Sequence, residues 1–306
     1  MTSALVQSPD IQTFLDHLSG LDGAAGDFRT KQIVRRIVAD LFATIDEFDI
    51  TPEEFWGAIS FFQAAAPEFG LIAPGMGFDH FLDIRMDAAD QAKGISGTPR
   101  TIEGPLYVAG APLEMGEARL DDGADKGETL IMHGQVRDAD GQPIAGAIVD
   151  VWHANTMGAY SVFDPSQSAF NNRRRIETDR EGRYKFRSIV PSGYAVPSGG
   201  LTERLLGVLG RHGRRPAHIH FFVSAAGHRH LTTQINISGD PDLHDDFAHA
   251  TRDELIPPVV KRAEPEEIHA AGLNAPFSEI TFDFFLPKAA TAQEVELPVR
   301  SRVEHA

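Results

Sequence analysis

The hydrophobic pattern of this chain changes period near residue 98, and that switch restricts the fold to a helical segment followed by a β-rich one. Upstream, apolar residues recur every three to four positions. In KQIVRRIVADLFATI, the residues Ile33, Val34, Ile37, Val38, Leu41, Phe42 and Ile45 form a broad stripe along one helix face. In SPDIQTFLDHL, Ser8 precedes Pro9 at the first helical position, and Ile11, Phe14, Leu15 and Leu18 share a face. Thr51, Pro52 and Glu54 have the spacing of a capping box that opens a helix carrying Phe55, Trp56, Ile59 and Phe62. Stripes this rich predict a helical core, or a subunit interface where short helices need cover.

Downstream, short apolar runs alternate with Gly, Pro and Asp turns, as in LIMHGQVRDADGQPIAGAIVDVWHA. Strands are expected at 130–136, 147–152, 184–189, 217–224 and 232–237. Many short strands with turn signals between them predict a sandwich or barrel and not a parallel sheet. The expected class is therefore mainly β with α.

Composition removes whole classes of chemistry. The 306 residues include no cysteine, which excludes thiolate metal sites, iron–sulfur clusters, disulfides and cysteine nucleophiles. Any metal must be held by His, carboxylate or Tyr. A net charge of -16 repels phosphate backbones, and the basic run Arg173 to Arg175 reads as only a small patch, so no nucleic-acid partner is expected. No apolar run approaches the roughly 20 residues of a membrane span, and MTSALVQSPD lacks the charge and apolar pattern of a signal peptide. A cytoplasmic location is expected.

The sharpest local feature is His218 and His220 in PAHIHFFVSA. Residues two apart on a strand project to the same side, so both imidazoles reach one point and form half a metal site. Flanking Ile219, Phe221 and Phe222 argue against an exposed strand. The remaining ligands are either a carboxylate, with Asp240 and Asp242 as candidates for an iron(II) site, or phenolates for iron(III). Only four tyrosines occur, and two sit in unusual settings: Tyr160 ends the loop of WHANTMGAY, and Tyr194 lies in the Pro-bounded VPSGYAVP. Spacing by itself does not choose between these ligand sets.

TPRTIEGPLYVAGAP, DVWHANTMGAYSVFD, SIVPSGYAVP and GRHGRRPAHIHFFVSAAGHRHLTTQI resemble, in order, the signature segments of the bacterial intradiol ring-cleaving dioxygenases. The resemblance runs from the helical region to about residue 257. It implies an N-terminal helical linker and dimerisation domain over 1–98 and a β-sandwich catalytic domain over 99–306. It also implies Fe(III) held by Tyr160, Tyr194, His218 and His220, with Arg215, Tyr194 and Gln234 assisting catalysis. Leu71, Pro74, Ile102, Pro105, Leu106, Phe247 and Ala248 fall on the family's substrate-pocket positions. The implied reaction is cleavage of catechol by O2 to cis,cis-muconate, with chlorocatechol or hydroxyquinol as rival substrates. A homodimer joined through the helices and a phospholipid at that interface are further implications. A transthyretin-like sandwich that binds without chemistry is the alternative from another class.

Overall fold

The structure, a computed structural model, describes residues 4–296. The chain divides between Ala66 and Pro67 into two compact units.

In the first unit, α1 (Pro9–Leu18), α2 (Phe28–Glu47) and α3 (Pro52–Ala65) follow the expected periodicity. Pro9 opens α1, and Asp27 caps α2 by accepting from the Thr30 N–H at 2.7 Å. The predicted capping box is present: the Thr51 hydroxyl accepts from the Glu54 N–H, and the Glu54 carboxylate accepts from the Thr51 N–H at 2.9 Å. Arg35 of α2 joins α1 through Asp16 and Gln12, and Phe14 stacks on Phe42. The α2 stripe nevertheless buries nothing. Ile33, Val34, Ile37 and Leu41 are all exposed, so the core expected there does not form within one chain.

The second unit begins with α4 (Phe69–Gly75) and α5 (Phe78–Gln91), which pack on each other. The helices therefore continue past the boundary between the units and stop near the change of period at 98. Among the described residues thirteen strands follow: β1 (Leu113–Met115), β2 (Glu117–Arg119), β3 (Thr129–Asp138), β4 (Ile148–His153), β5 (Arg173–Glu177), β6 (Arg183–Ile189) and β7 (Tyr194–Ala195) come first. Helix α6 (Leu201–Val208) leads to β8 (Arg214–Arg215), β9 (His218–Ser224), β10 (Leu231–Asn236) and β11 (Val260–Arg262). Helix α7 (Pro265–Ala270) precedes β12 (Phe277–Thr281) and β13 (Phe284–Leu286).

One sheet has the order β1-β5-β4-β9-β10, and the other β11-β12-β3-β6-β2 with β13 added to β3. Their inner faces share a core. Val149, Val151, Ile219, Phe221 and Val223 from the first sheet join Leu130, Met132, Phe186, Ile280 and Phe284 from the second. Period-two alternation then sends His218, His220 and Phe222 to the outer face of the first sheet. The run Arg173 to Arg175 is not a surface patch. Arg173 is buried in β5, Arg174 pairs with Glu114 and Arg175 donates to the Ala111 carbonyl, because a strand register decides their exposure.

Candidate active site

The outer face of the first sheet carries a row of residues paired across four strands: Arg173, Trp152, His220 and Gln234. His218 lies one pleat along, opposite Asn236. The Trp152 indole stacks on the His220 imidazole with centroids 5.0 Å apart and planes 6° from parallel, which fixes the ring's orientation. The two imidazoles meet edge to face, with their Nε2 atoms 3.1 Å apart. His218 Nδ1 donates to the Pro216 carbonyl at 2.6 Å, which leaves its Nε2 lone pair facing the site. Burial first, and then the Arg215 charge, push His218 down to about 3; burial, His218 and Arg215 hold His220 well below its ordinary value. Both rings are neutral at physiological pH, so each keeps one ring nitrogen as an acceptor, which in His218 is the Nε2 that Arg215 meets.

Two segments from outside the sheet bring the tyrosines. Tyr160 follows a loop after β4, and Tyr194 forms β7, paired with Arg215 of β8. Their rings meet edge to face at 5.6 Å, and Tyr194 lies 5.5 Å from His218, centroid to centroid. Gly158 permits this approach: it sits at φ +76°, and a Cβ there would come 2.8 Å from the Tyr194 Cβ. The Tyr160 hydroxyl is buried with no hydrogen-bond partner. Burial and the neighbouring Tyr194 raise its pKa well above the ordinary value, so with protein groups alone it would stay a phenol.

Arg215 is 3% exposed and uses its whole fork. Nε and Nη2 donate to Asp246 at 3.1 Å, Nη2 to Gln234 Oε1 at 2.8 Å, and Nη1 to His218 Nε2 at 3.0 Å. Burial alone would raise Asp246, yet Arg215 holds its carboxyl below the usual value. The pair is a fixed, desolvated dipole beside the imidazoles. Sequence reasoning missed Asp246, which lies in the same acidic run as Asp240 and Asp242. Those two face elsewhere: Asp240 accepts from the Ala217 N–H and Asp242 pairs with Arg214. Among the described residues, no group of three or more His, Cys, Asp or Glu is placed to hold a metal.

A cavity of about 190 Å³ is lined by Pro74, Ile102, Gly104 and Pro105, with Asp79 and Glu103 beside them. Gly104 faces His220: a Cβ there would lie 3.6 Å from the His220 Cε1. Phe247 and Ala248 cluster with Ile102, whereas Leu106 packs with Tyr107, Trp152 and Tyr160. Leu71 is half-buried in α4 and does not line the cavity. Neither this cavity nor the larger hollows of about 410 and 460 Å³ are lined by Tyr160, Tyr194, His218 or His220.

The buried, unpartnered Tyr160 hydroxyl is the observation that asks for a metal. Leaving such a group unpaired costs about 1–3 kcal/mol, and a hard cation would take it up together with Tyr194 and the two imidazoles. The donor set, oxygen and imidazole without sulfur, fits ferric iron.

Residues 102–288 match the family model described as Dioxygenase, and residues 27–94 match Catechol dioxygenase N terminus. Catechol 1,2-dioxygenase of Pseudomonas sp. (strain EST1001) is 52% identical over 98% of this chain and 100% of its own length. The solved structure of catechol 1,2-dioxygenase from Acinetobacter sp. ADP1, inhibited by bound mercury, superposes with a TM-score of 0.92 at 50% identity, covering 99% of this chain and 100% of that one. A hydroxyquinol 1,2-dioxygenase of Rhizobium sp. (strain MTP-10005) is less similar, 34% identical over 86% of this chain and 90% of its own. A chlorocatechol 1,2-dioxygenase of Rhodococcus opacus is 41% identical over 60% and 72%.

Proposed function

The chain belongs to the catechol dioxygenase family, and from that premise we propose that it opens catechol between its two hydroxylated carbons with O2, giving cis,cis-muconate, at ferric iron held by Tyr160, Tyr194, His218 and His220. The observation that carries this reading is the meeting of two phenols and two neutral imidazoles on one sheet face, with the Tyr160 hydroxyl buried and unpartnered. Membership of the family sets aside a non-catalytic sandwich. Unsubstituted catechol is the substrate we favour, because relatives named for chlorocatechol and hydroxyquinol are the less similar ones.

Bound iron would supply a Lewis acid that chelates catechol through both oxygens and makes its ring reactive towards O2. The protein supplies the rest. Tyr194 is half-buried while Tyr160 is 4% exposed, so Tyr194, held as a tyrosinate by the iron it would bind, is the ligand with room to turn away, its phenolate oxygen taking up a catechol proton to become a phenol. Arg215, locked by Asp246 and Gln234, sets a positive charge where the ring becomes electron-rich. In this reading Pro74, Ile102 and Pro105 at the cavity, Phe247 and Ala248 clustered with Ile102, and Leu71 and Leu106 hold the flat ring and keep water out. The cavity is comparable to the engineered apolar cavity of about 150 Å³ that takes up benzene.

The same reading assigns residues 1–98 to linkage and dimerisation and 99–306 to catalysis. The exposed stripe of α2 is then the face that a second copy covers, with a phospholipid acyl chain against it. Among the described residues no helix is long and apolar enough to cross a membrane, and we take the enzyme to act in the cytoplasm.

The test is the visible spectrum of the iron-loaded protein, before and after anaerobic catechol. A red-brown protein whose band moves to longer wavelength is expected. A colourless protein with full iron would overturn the tyrosinate assignment. Tyr194→Phe should then lose turnover more than it loses iron, and full activity in that variant would rule out its role as proton acceptor.

A further inference from the structure

Arg173 is 2% exposed, yet it has no carboxylate partner within ion-pair distance among the described residues. Its Nη2 donates to the Leu106 carbonyl at 2.9 Å, and its Nη1 is buried without any partner. The guanidinium carbon lies 5.6 Å from the centre of the Tyr160 ring. Asp150, whose charge it feels, accepts from the Tyr107 hydroxyl at 2.9 Å and is pushed up to about 7 by burial, so it is a weak counter-ion. A buried guanidinium with the two Nη1 donors idle is destabilising unless some negative charge meets it.

The backbone that delivers Arg173 is strained as well. Phe170 and Asn172 sit at φ +60° and +58°, two of only four non-glycine residues with positive φ among the described residues. Hydrogen bonds pin the segment in place: the Asn172 N–H donates to the Leu120 carbonyl at 3.0 Å, and the Arg173 N–H to the Phe170 carbonyl at 3.1 Å. Strain of this kind persists where the surrounding structure over-determines a conformation, and here its product is the placement of one cation on one phenol.

We propose that Arg173 is a positioning residue for Tyr160: it clamps the phenol ring, ties it to the backbone at Leu106, and supplies the fixed positive charge that an anionic Tyr160 ligand requires. This rests on the ferric reading of the site and adds to it a residue outside the ligand set. A neutral Tyr160 gains only ring stacking from the guanidinium, whereas a phenolate gains a desolvated charge pair. Arg173, placed over the Tyr160 ring, therefore favours the form of Tyr160 that holds metal.

The experiment compares Arg173→Gln with Arg173→Lys. Iron retention is read by competition with a chelator, the tyrosinate band by visible spectroscopy, and kcat and KM by oxygen uptake. For the Gln variant, roughly tenfold weaker iron retention, a displaced band and a lower kcat with KM within about twofold are expected, and Lys should restore much of the loss. Gln and Lys variants that both match the unaltered protein in band and iron retention would overturn the proposal, as would a change confined to KM, which marks a mere prop for the pocket wall. Should neither variant fold, arginine-labelled, iron-free protein of native sequence serves instead. One guanidinium Nε proton should be ring-shifted and slow to exchange, and a spectrum without such a signal would overturn the stacking. An iron-loaded native protein with no visible band fails at an earlier step, the ferric reading, and is told apart because it precedes any change at Arg173.

Discussion

Helix α2 and strand β9 are about equally rich in apolar residues, yet α2 buries none of its side chains while β9 is buried from His218 to Val223. Both were legible as periodic. The difference is that β9 lies inside its sheet, between β4 and β10, with the second sheet against one face and the tyrosine segments over the other. The α2 stripe has no such cover within its own unit. Periodicity states which residues share a face, and only the surrounding chain states whether that face is core, site or interface.

Substitutions on the two elements sharpen this contrast. Phe221→Ala, on the core face of β9, should destabilise by about 3–5 kcal/mol in denaturant titration. A cost below about 1 kcal/mol would mean the sandwich core is looser than its packing indicates. On the opposite face of the same strand, His220→Ala should weaken iron retention at least about a hundredfold in a chelator competition, with turnover falling alongside. Intact iron content there would remove β9 from the metal site and leave its outer face as ordinary packing.

Acid separates the regions further. His153 is held at about 4 and His218 at about 3, both by burial first, and His220 is lowered in the same way. These groups are neutral when folded and charged when unfolded below about 6.5. The stability they contribute is therefore present above pH 6.5 and lost as pH falls towards 4, by up to roughly 1.4 kcal/mol per group per pH unit. Asp150, raised to about 7 by burial, acts with the opposite sign: it costs stability as pH rises from about 4 to 7. Denaturant titrations of the iron-free protein at pH 7, 6 and 5 should show a falling midpoint, and Asp150→Asn should steepen the fall. A flat profile would mean that the imidazoles are not desolvated.

The smaller effects belong to the helical unit. Thr51→Ala removes one side of the capping box and should cost about 1 kcal/mol in thermal unfolding. Ile37→Ala should change the stability of the unassociated chain by less than about 0.5 kcal/mol, while Ile37→Glu should shift the oligomeric state seen by light scattering. If Ile37→Glu left association untouched, the α2 stripe would not be the dimer face.

Several site residues could be found in the sequence because their signal is local. His218 and His220 share a face because strands have period two, and the structure places them side by side. Strands expected at 130–136 and 217–224 appear as β3 and β9 with ends displaced by a few residues at most. Tyr160 and Tyr194 carried a weaker signal: their scarcity and unusual settings marked them as candidates, but each joins the site only by long-range closure, and only the family resemblance chose them over a carboxylate. Asp246 was hidden in an acidic turn whose members look alike until one of them meets Arg215. The Arg173 run read as a small basic patch because charge in a sequence carries no information about register.

The sequence by itself determined where helices give way to strands, how α3 begins, which side of β9 the imidazoles take, and that no thiol could bind metal. Those are properties of backbone period, capping geometry and composition, set within a few residues. Tertiary structure alone decided that Tyr160 and Tyr194 meet the imidazoles, that Arg215 is locked by Asp246 and Gln234, that Arg173 lies on a phenol ring, and that the α2 stripe stays uncovered. Each of those outcomes joins or leaves apart segments distant in sequence, and such pairings follow from sheet register and loop closure, which no local pattern encodes.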